Sequence, residues 1–412
     1  MVTPVSELVV PELPFVEGQT HEQARADVQR LRAESWIVKG LFGSIITTRE
    51  DTLAILRDDR WHQAAPLLAQ MSGVTDERYL ARQKRPNILT AEGDEHQRLR
   101  RLVAPAFTPR QADKLRQFMA DLASRLVDDI EADAKPGDTI TFDAVSDLCE
   151  AFPIPIICEL LGAPADDWPT FSRWANDIFK IFNADLIHHT DTILAAQEEI
   201  DVYIGALIET RRTSPGDDLL SELIAAEEEG DRLSHDELVM LAQAVLLAGT
   251  DTTRNQLGCS LALFSNHNDQ WRQLASDPAT YAPKATEESM RYLGAVRGTG
   301  RFASVDIEYN DVLFPAGSIV FPSFVAANTD PSANANPDEF DIDGEGRATH
   351  LTLGFGLHYC LGANLARAEL QEALTVLSAR MPDLAPAGDP VWEPDGVGIW
   401  GPAVLPLTYT KP

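Results

Sequence analysis

The residue best placed to do chemistry in this chain is a cysteine in a Gly-rich stretch, Leu353-Gly354-Phe355-Gly356-Leu357-His358-Tyr359-Cys360-Leu361-Gly362. Its glycines let the backbone turn with positive φ and lie close against a flat, bulky group. Residues 363–370 read as a helix, so Cys360 comes at a helix entrance, where unpaired N–H groups and the helix dipole favour negative charge. Such a setting favours the thiolate, the form that ligates metals. The other cysteines (Cys149, Cys158, Cys259) are distant in sequence and no C-x-x-C occurs. A zinc or iron–sulfur site would need several ligands. A single thiolate suits a haem iron with one proximal sulfur. Taken alone, the pattern is equally compatible with a buried apolar cysteine, so other residues must decide.

Three further groups carry polar chemistry. Ala248-Gly249-Thr250-Asp251-Thr252 lies inside an apolar run, residues 238–264, that follows the capping-box sequence Ser234-His235-Asp236-Glu237. A run apolar nearly all round predicts one buried helix, ~40 Å long at 1.5 Å per residue. A carboxylate inside it is costly unless used or paired. Ala248 and Gly249 leave room beside the helix for a small ligand, Thr252 can hydrogen-bond it, and Asp251 can relay protons. The plainer alternative is a polar kink in which threonines bond back to their own helix. Glu288 and Arg291 make an i, i+3 pair, worth little if exposed. His96 and Arg100 share a helix face and could hold a carboxylate, although the same spacing is ordinary on a solvated helix.

The stretch around Cys360 resembles the haem-binding loop of the cytochrome P-450 superfamily in its soluble bacterial form, Phe-Gly-x-Gly-x-His-x-Cys-x-Gly. It departs at Leu353, where the family usually has a Phe that packs by the sulfur. Asp251-Thr252 is similar to the family's acid–alcohol pair, and Glu288-Ser289-Met290-Arg291 to its Glu-x-x-Arg lock behind the haem loop. The resemblance covers essentially the whole chain, with the motifs in order. It implies a mainly α fold with a smaller β region, a single domain over residues 1–412, and haem b between the long central helix and the helix after the cysteine loop.

The same resemblance distributes roles. Cys360 would be the axial ligand, and His96, Arg100, Arg301 and His358 would hold the propionates. Ala248, Gly249, Phe355, Gly356 and Gly362 would lie against the macrocycle, and Asp251 and Thr252 would deliver protons. In the family a later Arg completes the lock. Here Phe340-Asp341 is followed by five residues before Arg347, which leaves completion open, and Thr329 stands where the family often has Arg. Leu246, Leu247, Val296, Arg297, Ile399 and Val404 would face an apolar substrate of terpenoid, steroid, fatty acyl or aromatic type. The implied reaction inserts one oxygen atom from O2 into a C–H bond. A peroxide-driven peroxygenase and a non-catalytic haem sensor are the rivals, and neither needs the acid–alcohol pair.

The elements that must position these groups are mostly helical in pattern: residues 21–33, 50–58, 91–101, 113–134, 142–161, 168–182, 191–213 and 217–230. Residues 36–48 read as a hairpin, 302–320 as a β-rich stretch with turns at Asn310-Asp311 and Pro315-Ala316-Gly317, and 398–409 as a final hairpin. Residues 61–89 show no clean period and are expected to form the loop that roofs the substrate pocket. By resemblance, residues 179–187 lie near its moving lid. Arg78, Arg82, Lys84 and Arg85 in the roof, with Arg297, could anchor a substrate carboxylate.

Composition bounds the partners. The net charge of −30 argues against nucleic acid and anionic membranes. Residues 1–18 lack a basic segment and a long apolar run, so neither a signal peptide nor a membrane anchor is expected; the widely spaced cysteines fit a reducing cytoplasm, and a monomer is expected. No Gly-x-Gly-x-x-Gly follows a strand, so electrons must come from another protein, by resemblance a ferredoxin with its reductase. Arg98, Arg101 and Arg110, with Lys114, Arg116 and Arg367, form the basic surface expected to dock it.

Overall fold

Ile37 and Val38 face Ile46 and Ile45 across the Gly40–Gly43 reversal, which builds the expected hairpin: Ile37–Lys39 pairs antiparallel with Ser44–Ile46. The computed structural model describes residues 2–13, 21–182, 185–228, 233–393 and 398–412. The chain gathers into two units, one of residues 1–67, 287–360 and 393–400, the other of residues 68–286, 361–392 and 401–412.

In the first unit the hairpin joins a five-stranded sheet, ordered Ile37–Lys39, Ser44–Ile46, Ile319–Pro322, Arg301–Ala303, Trp61–Gln63. A smaller sheet aligns Thr3–Pro4, Val312–Phe314 and Ile307–Tyr309. Its reversal falls on Asn310 and Asp311, both left-handed (φ 49° and 61°), as a tight two-residue turn requires. Ile37, Ile46, Ile55, Trp61, Phe314 and Val320 form one core. The Arg49–Arg57 helix begins at Thr48, whose hydroxyl oxygen accepts from the Asp51 N–H, a cap worth ~1 kcal/mol.

The second unit is mainly helical. Pro109–Ile130 packs along Ala363–Arg380, and Trp168–Phe179 along Thr190–Thr213. Gly93–Val103 carries His96 and Arg100.

Several expectations are corrected here. The central apolar run is two helices, His235–Ala248 and Asp251–Asn266, divided at Gly249-Thr250. The Thr250 hydroxyl donates to the Leu246 carbonyl at 2.6 Å and that of Thr252 to Ala248 at 2.8 Å, the back-bonding that bends helices. Residues 142–161 hold the end of a strand (Thr139–Asp143), a π-turn (Val145–Cys149) and a helix (Pro153–Leu161), because Pro153 and Pro155 cannot continue a helix from upstream. The supposedly irregular stretch 61–89 contains Trp61–Gln63 and two short helices, Ala65–Met71 and Glu77–Arg82.

The final hairpin is not one either. Pro402–Val404 pairs with Val391–Trp392, and Pro406–Thr410 with Thr139–Asp143 and Ala385–Pro386. Only Leu405 separates the two strands, and its N–H is taken by the Asp143 carboxylate at 2.8 Å. The lid expected over 179–187 and the helix expected over 217–230 each fall partly outside the described residues.

Candidate active site

The cysteine loop is held by its own backbone. Gly354 N–H donates to Leu351 O at 2.7 Å, Tyr359 N–H to Gly356 O at 3.1 Å, and Cys360 N–H to Leu353 O at 2.8 Å. Gly354 and Gly356 sit at φ 76° and 74°, a region that side chains disfavour. A Cβ on Gly356 would also strike the Leu56 carbonyl oxygen. Cys360 is half-buried, two residues before Gly362, which is the N-cap of Ala363–Arg380. The helix entrance is therefore Gly362 itself, with Cys360 just upstream. His358 and Phe355 are half-buried in the same loop.

Behind this loop the lock is complete. Arg291 Nε and Nη2 reach the two Glu288 carboxylate oxygens at 2.7 and 2.8 Å. Arg347 Nη1 reaches Glu288 Oε1 at 2.8 Å, so the open question about Arg347 is answered. All three side chains are nearly enclosed, at 3–8% exposure. The remaining guanidinium donors are spent on carbonyls: Arg291 on Asn328, Pro337 and Glu339, and Arg347 on Asp341, Glu339 and Ala335. The longer segment between Asp341 and Arg347 turns at Gly346 (φ 71°) and passes Gly344, where any Cβ would meet the Arg347 guanidinium.

Asn328 carries the lock to the loop. Its Oδ1 accepts from Leu351 N–H at 2.7 Å and its Nδ2 donates to Thr352 Oγ1 at 3.1 Å. Thr329, in the position expected for an Arg, instead bonds back to Val325 O at 2.8 Å.

Elsewhere in the first unit, Arg301 is 4% exposed and its Nη1 donates to Gln63, Thr299 and Gly300 O. Val296 bridges Ile399, and the Arg297 guanidinium lies 4.8 Å from the centre of the Trp400 ring.

In the second unit His96 is buried (2% exposed) and Arg100 half-buried on one helix face. Burial pushes the Asp251 carboxyl above its ordinary pKa, and Arg254, 3.6 Å away, pulls it part of the way back. Arg254 also reaches Glu150 at 3.4 Å. Asn255 Nδ2 donates to Asp251 O at 2.9 Å. The Thr252 hydroxyl, though donating to Ala248 O, keeps lone pairs free to accept a proton donor. Ala248 is exposed and Leu247 half-buried, whereas Leu246 is 1% exposed. Leu246 is thus core, one helical step off the open face, and the expectation that it faces substrate is corrected. Val404 is 38% exposed on its strand.

Sequence reading missed Glu369. It lies on the buried face of Ala363–Arg380, 1% exposed, with Oε2 unpartnered and a hydrogen bond to Thr253. Burial drives its pKa up to about 8, against a smaller opposing pull from the Thr253 hydroxyl. Its signal was a lone acid between Ala368 and Leu370 in an apolar stripe.

The basic surface is smaller than expected. Arg98 is ion-paired with Glu237, and Arg116 with Asp113 and Glu372, both at 2.8 Å. Lys114 lies 3.9 Å from Asp217. Arg101 and Arg110 are exposed and make no ion pair among the described residues. The roof cluster is likewise spent: Arg78 on Asp76 and Asp191, Arg82 on Asp201, Arg85 on Asp201 and Asp236. Lys84 is exposed and makes no ion pair among the described residues. The carboxylate anchor expected at these arginines is therefore corrected.

The donor set fits a haem. One half-buried thiol stands on a loop with no second sulfur beside it among the described residues, and the same unit holds Arg301 as a buried cation. Among the described residues no cluster of three His, Cys, Asp or Glu is built to hold a bare metal ion.

Comparison with known proteins agrees with this chemistry. The family model described as Cytochrome P450 matches residues 68–277 and 270–378. Nocardicin C N-oxygenase of Nocardia uniformis subsp. tsuyamanensis is 34% identical over 370 residues, covering 89% of each chain. Mycinamicin IV hydroxylase/epoxidase of Micromonospora griseorubida is also 34% identical over 370 residues, again covering 89% of each. The structure of P450BioI in complex with hexadec-9Z-enoic acid ligated acyl carrier protein superposes with TM-score 0.83 at 29% identity, covering 94% of this chain and 99% of that one. With a thiol loop, a completed lock and relatives of this similarity and coverage, the chain belongs to the cytochrome P450 family, monooxygenases that bind haem b.

Proposed function

We propose that this monooxygenase, acting in the cytoplasm as a monomer whose whole chain serves one function, oxidises a medium-sized apolar natural product or fatty acyl compound with electrons from a ferredoxin and its reductase. When bound, haem supplies the activation of O2 and the transfer of one oxygen atom. Cys360 would ligate the iron through its thiolate, and His96, Arg100, Arg301 and His358 would hold the propionates. Asp251 takes up protons from solvent, and Thr252 presents them at the oxygen site.

The observation that carries this reading is the helix break at Gly249-Thr250, which leaves Ala248 exposed and is followed directly by Asp251, a half-buried carboxyl whose pKa is raised, and by Thr252. A peroxide-driven enzyme or a haem sensor has no use for that pair. The apolar character of Leu247, Val296 and Ile399 supports an apolar substrate. The names of the two curated relatives and the fatty acyl ligand of the structural relative support the compound classes.

The test is a screen of such compounds for a shift of the Soret band, followed by turnover with NADH, ferredoxin and reductase. Product formed in step with NADH consumption is expected. Turnover supported by peroxide alone would reject the reading.

A further inference from the structure

Arg57 has no part in the roles assigned above, and Phe355 was given only a place against the macrocycle. Arg57 ends the Arg49–Arg57 helix and is exposed, with its guanidinium carbon 4.9 Å from the centre of the Phe355 ring. That distance is within cation–π range, and the face of a ring attracts a guanidinium. Phe355 lies between the two left-handed glycines of the cysteine loop, five residues before Cys360.

The preceding residue makes a second contact. The Leu56 carbonyl occupies the place that a side chain on Gly356 would need. Leu53 and Phe355 pack against one apolar cluster of Leu56, Phe324, Ala327 and Leu351. The last turn of this helix thus grips the loop at two successive residues, a carbonyl against Gly356 and a cation over Phe355. Gly354 and Gly356 would otherwise leave this segment more conformational freedom than any other residues could. The lock reaches the loop at its start, through Leu351 and Thr352. Nothing in that network restrains Phe355 itself.

We propose that Arg57 is a positioning residue for the Cys360 thiolate: stacked on Phe355, it pins the glycine-flanked half of the loop to the Arg49–Arg57 helix and so holds the sulfur in its ligating position. The proposal rests on Cys360 being the axial ligand, and its test separates the two. The haem-loaded protein is reduced under carbon monoxide, and the long-wavelength Soret band of thiolate-bound haem is followed as it converts to the short-wavelength form in mild urea.

Arg57→Ala and Phe355→Leu each speed this conversion about two- to fivefold, the factor carried by ~0.5–1 kcal/mol. The double variant is no faster than the faster single one, because both remove the same contact. Arg57→Lys, which keeps the charge, recovers part of the wild-type rate. The conversion is complete below the urea midpoint of global unfolding, and that midpoint falls by no more than the lost contact accounts for, whereas a merely structural role would make the conversion coincide with global unfolding. Single variants at the wild-type rate, or a double variant whose acceleration is the product of the two singles, would overturn the proposal. A wild-type protein lacking the long-wavelength band would instead remove the Cys360 assignment, and the proposal with it.

Discussion

Asp251 is protonated more readily than a surface carboxyl because burial penalises its charge, and Arg254 returns only part of that penalty. On the proposed roles, Asp251→Asn removes the ionisable proton and should slow turnover by about 10²–10⁴-fold. Thr252→Ala leaves the proton source but not its presentation, so reducing equivalents are diverted to peroxide at near-normal NADH consumption. Measuring NADH, peroxide and product together distinguishes the two. Wild-type coupling in both variants would dismiss the pair.

Glu369 makes a different prediction, about stability. Its folded pKa is raised to about 8, so between the ordinary carboxyl value and that pH the folded chain holds a proton that the unfolded chain has already lost. The stability linked to this group is fully present below the unfolded value and is lost as pH rises through about 8. Glu369→Gln keeps a neutral side chain and should flatten that dependence. Urea midpoints at about pH 6 and about pH 9 check it, with ~1.4 kcal/mol at stake for each unit of pKa separation. Parallel curves for wild type and variant would show that Glu369 ionises normally.

At the scale of elements, the lock shows how a buried ion pair serves position. Enclosed charges gain little net stability as a pair, but removing one partner leaves the rest exposed to the full desolvation penalty. Arg347→Ala should cost ~3–5 kcal/mol, read as a lower urea midpoint. Because Arg291, Asn328, the Leu351 N–H and the Thr352 hydroxyl are hydrogen-bonded in series, it should also weaken retention of the long-wavelength carbonyl band. A midpoint unchanged in Arg347→Ala would mean that Arg291 alone neutralises Glu288.

At the scale of the whole molecule, charge would govern the encounter with the ferredoxin proposed as electron donor. A chain of net charge −30 repels an acidic ferredoxin except where cations stand clear of their own acids. Arg98 and Arg116 do not, since Glu237, Asp113 and Glu372 already hold them. Arg101 and Arg110 are exposed without ion pairs among the described residues. Arg101→Glu and Arg110→Glu should slow ferredoxin-dependent turnover through association, while Arg98→Glu acts mainly by breaking its tie to Glu237. Salt should weaken the wild-type reaction, because exposed charges are screened beyond ~10 Å at 0.1 M. A rate indifferent to salt and to both reversals would place docking elsewhere.

What the sequence determined by itself was local chemistry. Gly354, Gly356 and Cys360 specify a loop through backbone freedom and one thiol, the Ser234 capping box marks a helix start that is present in the structure, and the Glu288/Arg291 spacing puts two charges on one face. These are readable because each depends on residues within a few positions of one another. Tertiary structure decided what depends on partners far away in sequence. Arg347 completes the lock only because the 341–347 segment folds back on Glu288. Arg78, Arg82 and Arg85 lose their role as anchors because Asp191, Asp201 and Asp236 neutralise them. Leu246 and Leu247 are equivalent in sequence, and packing alone buries the first. Glu369 looked like an ordinary helix acid until burial beside Thr253 raised its pKa, since desolvation is a property of the fold around a group and not of the group.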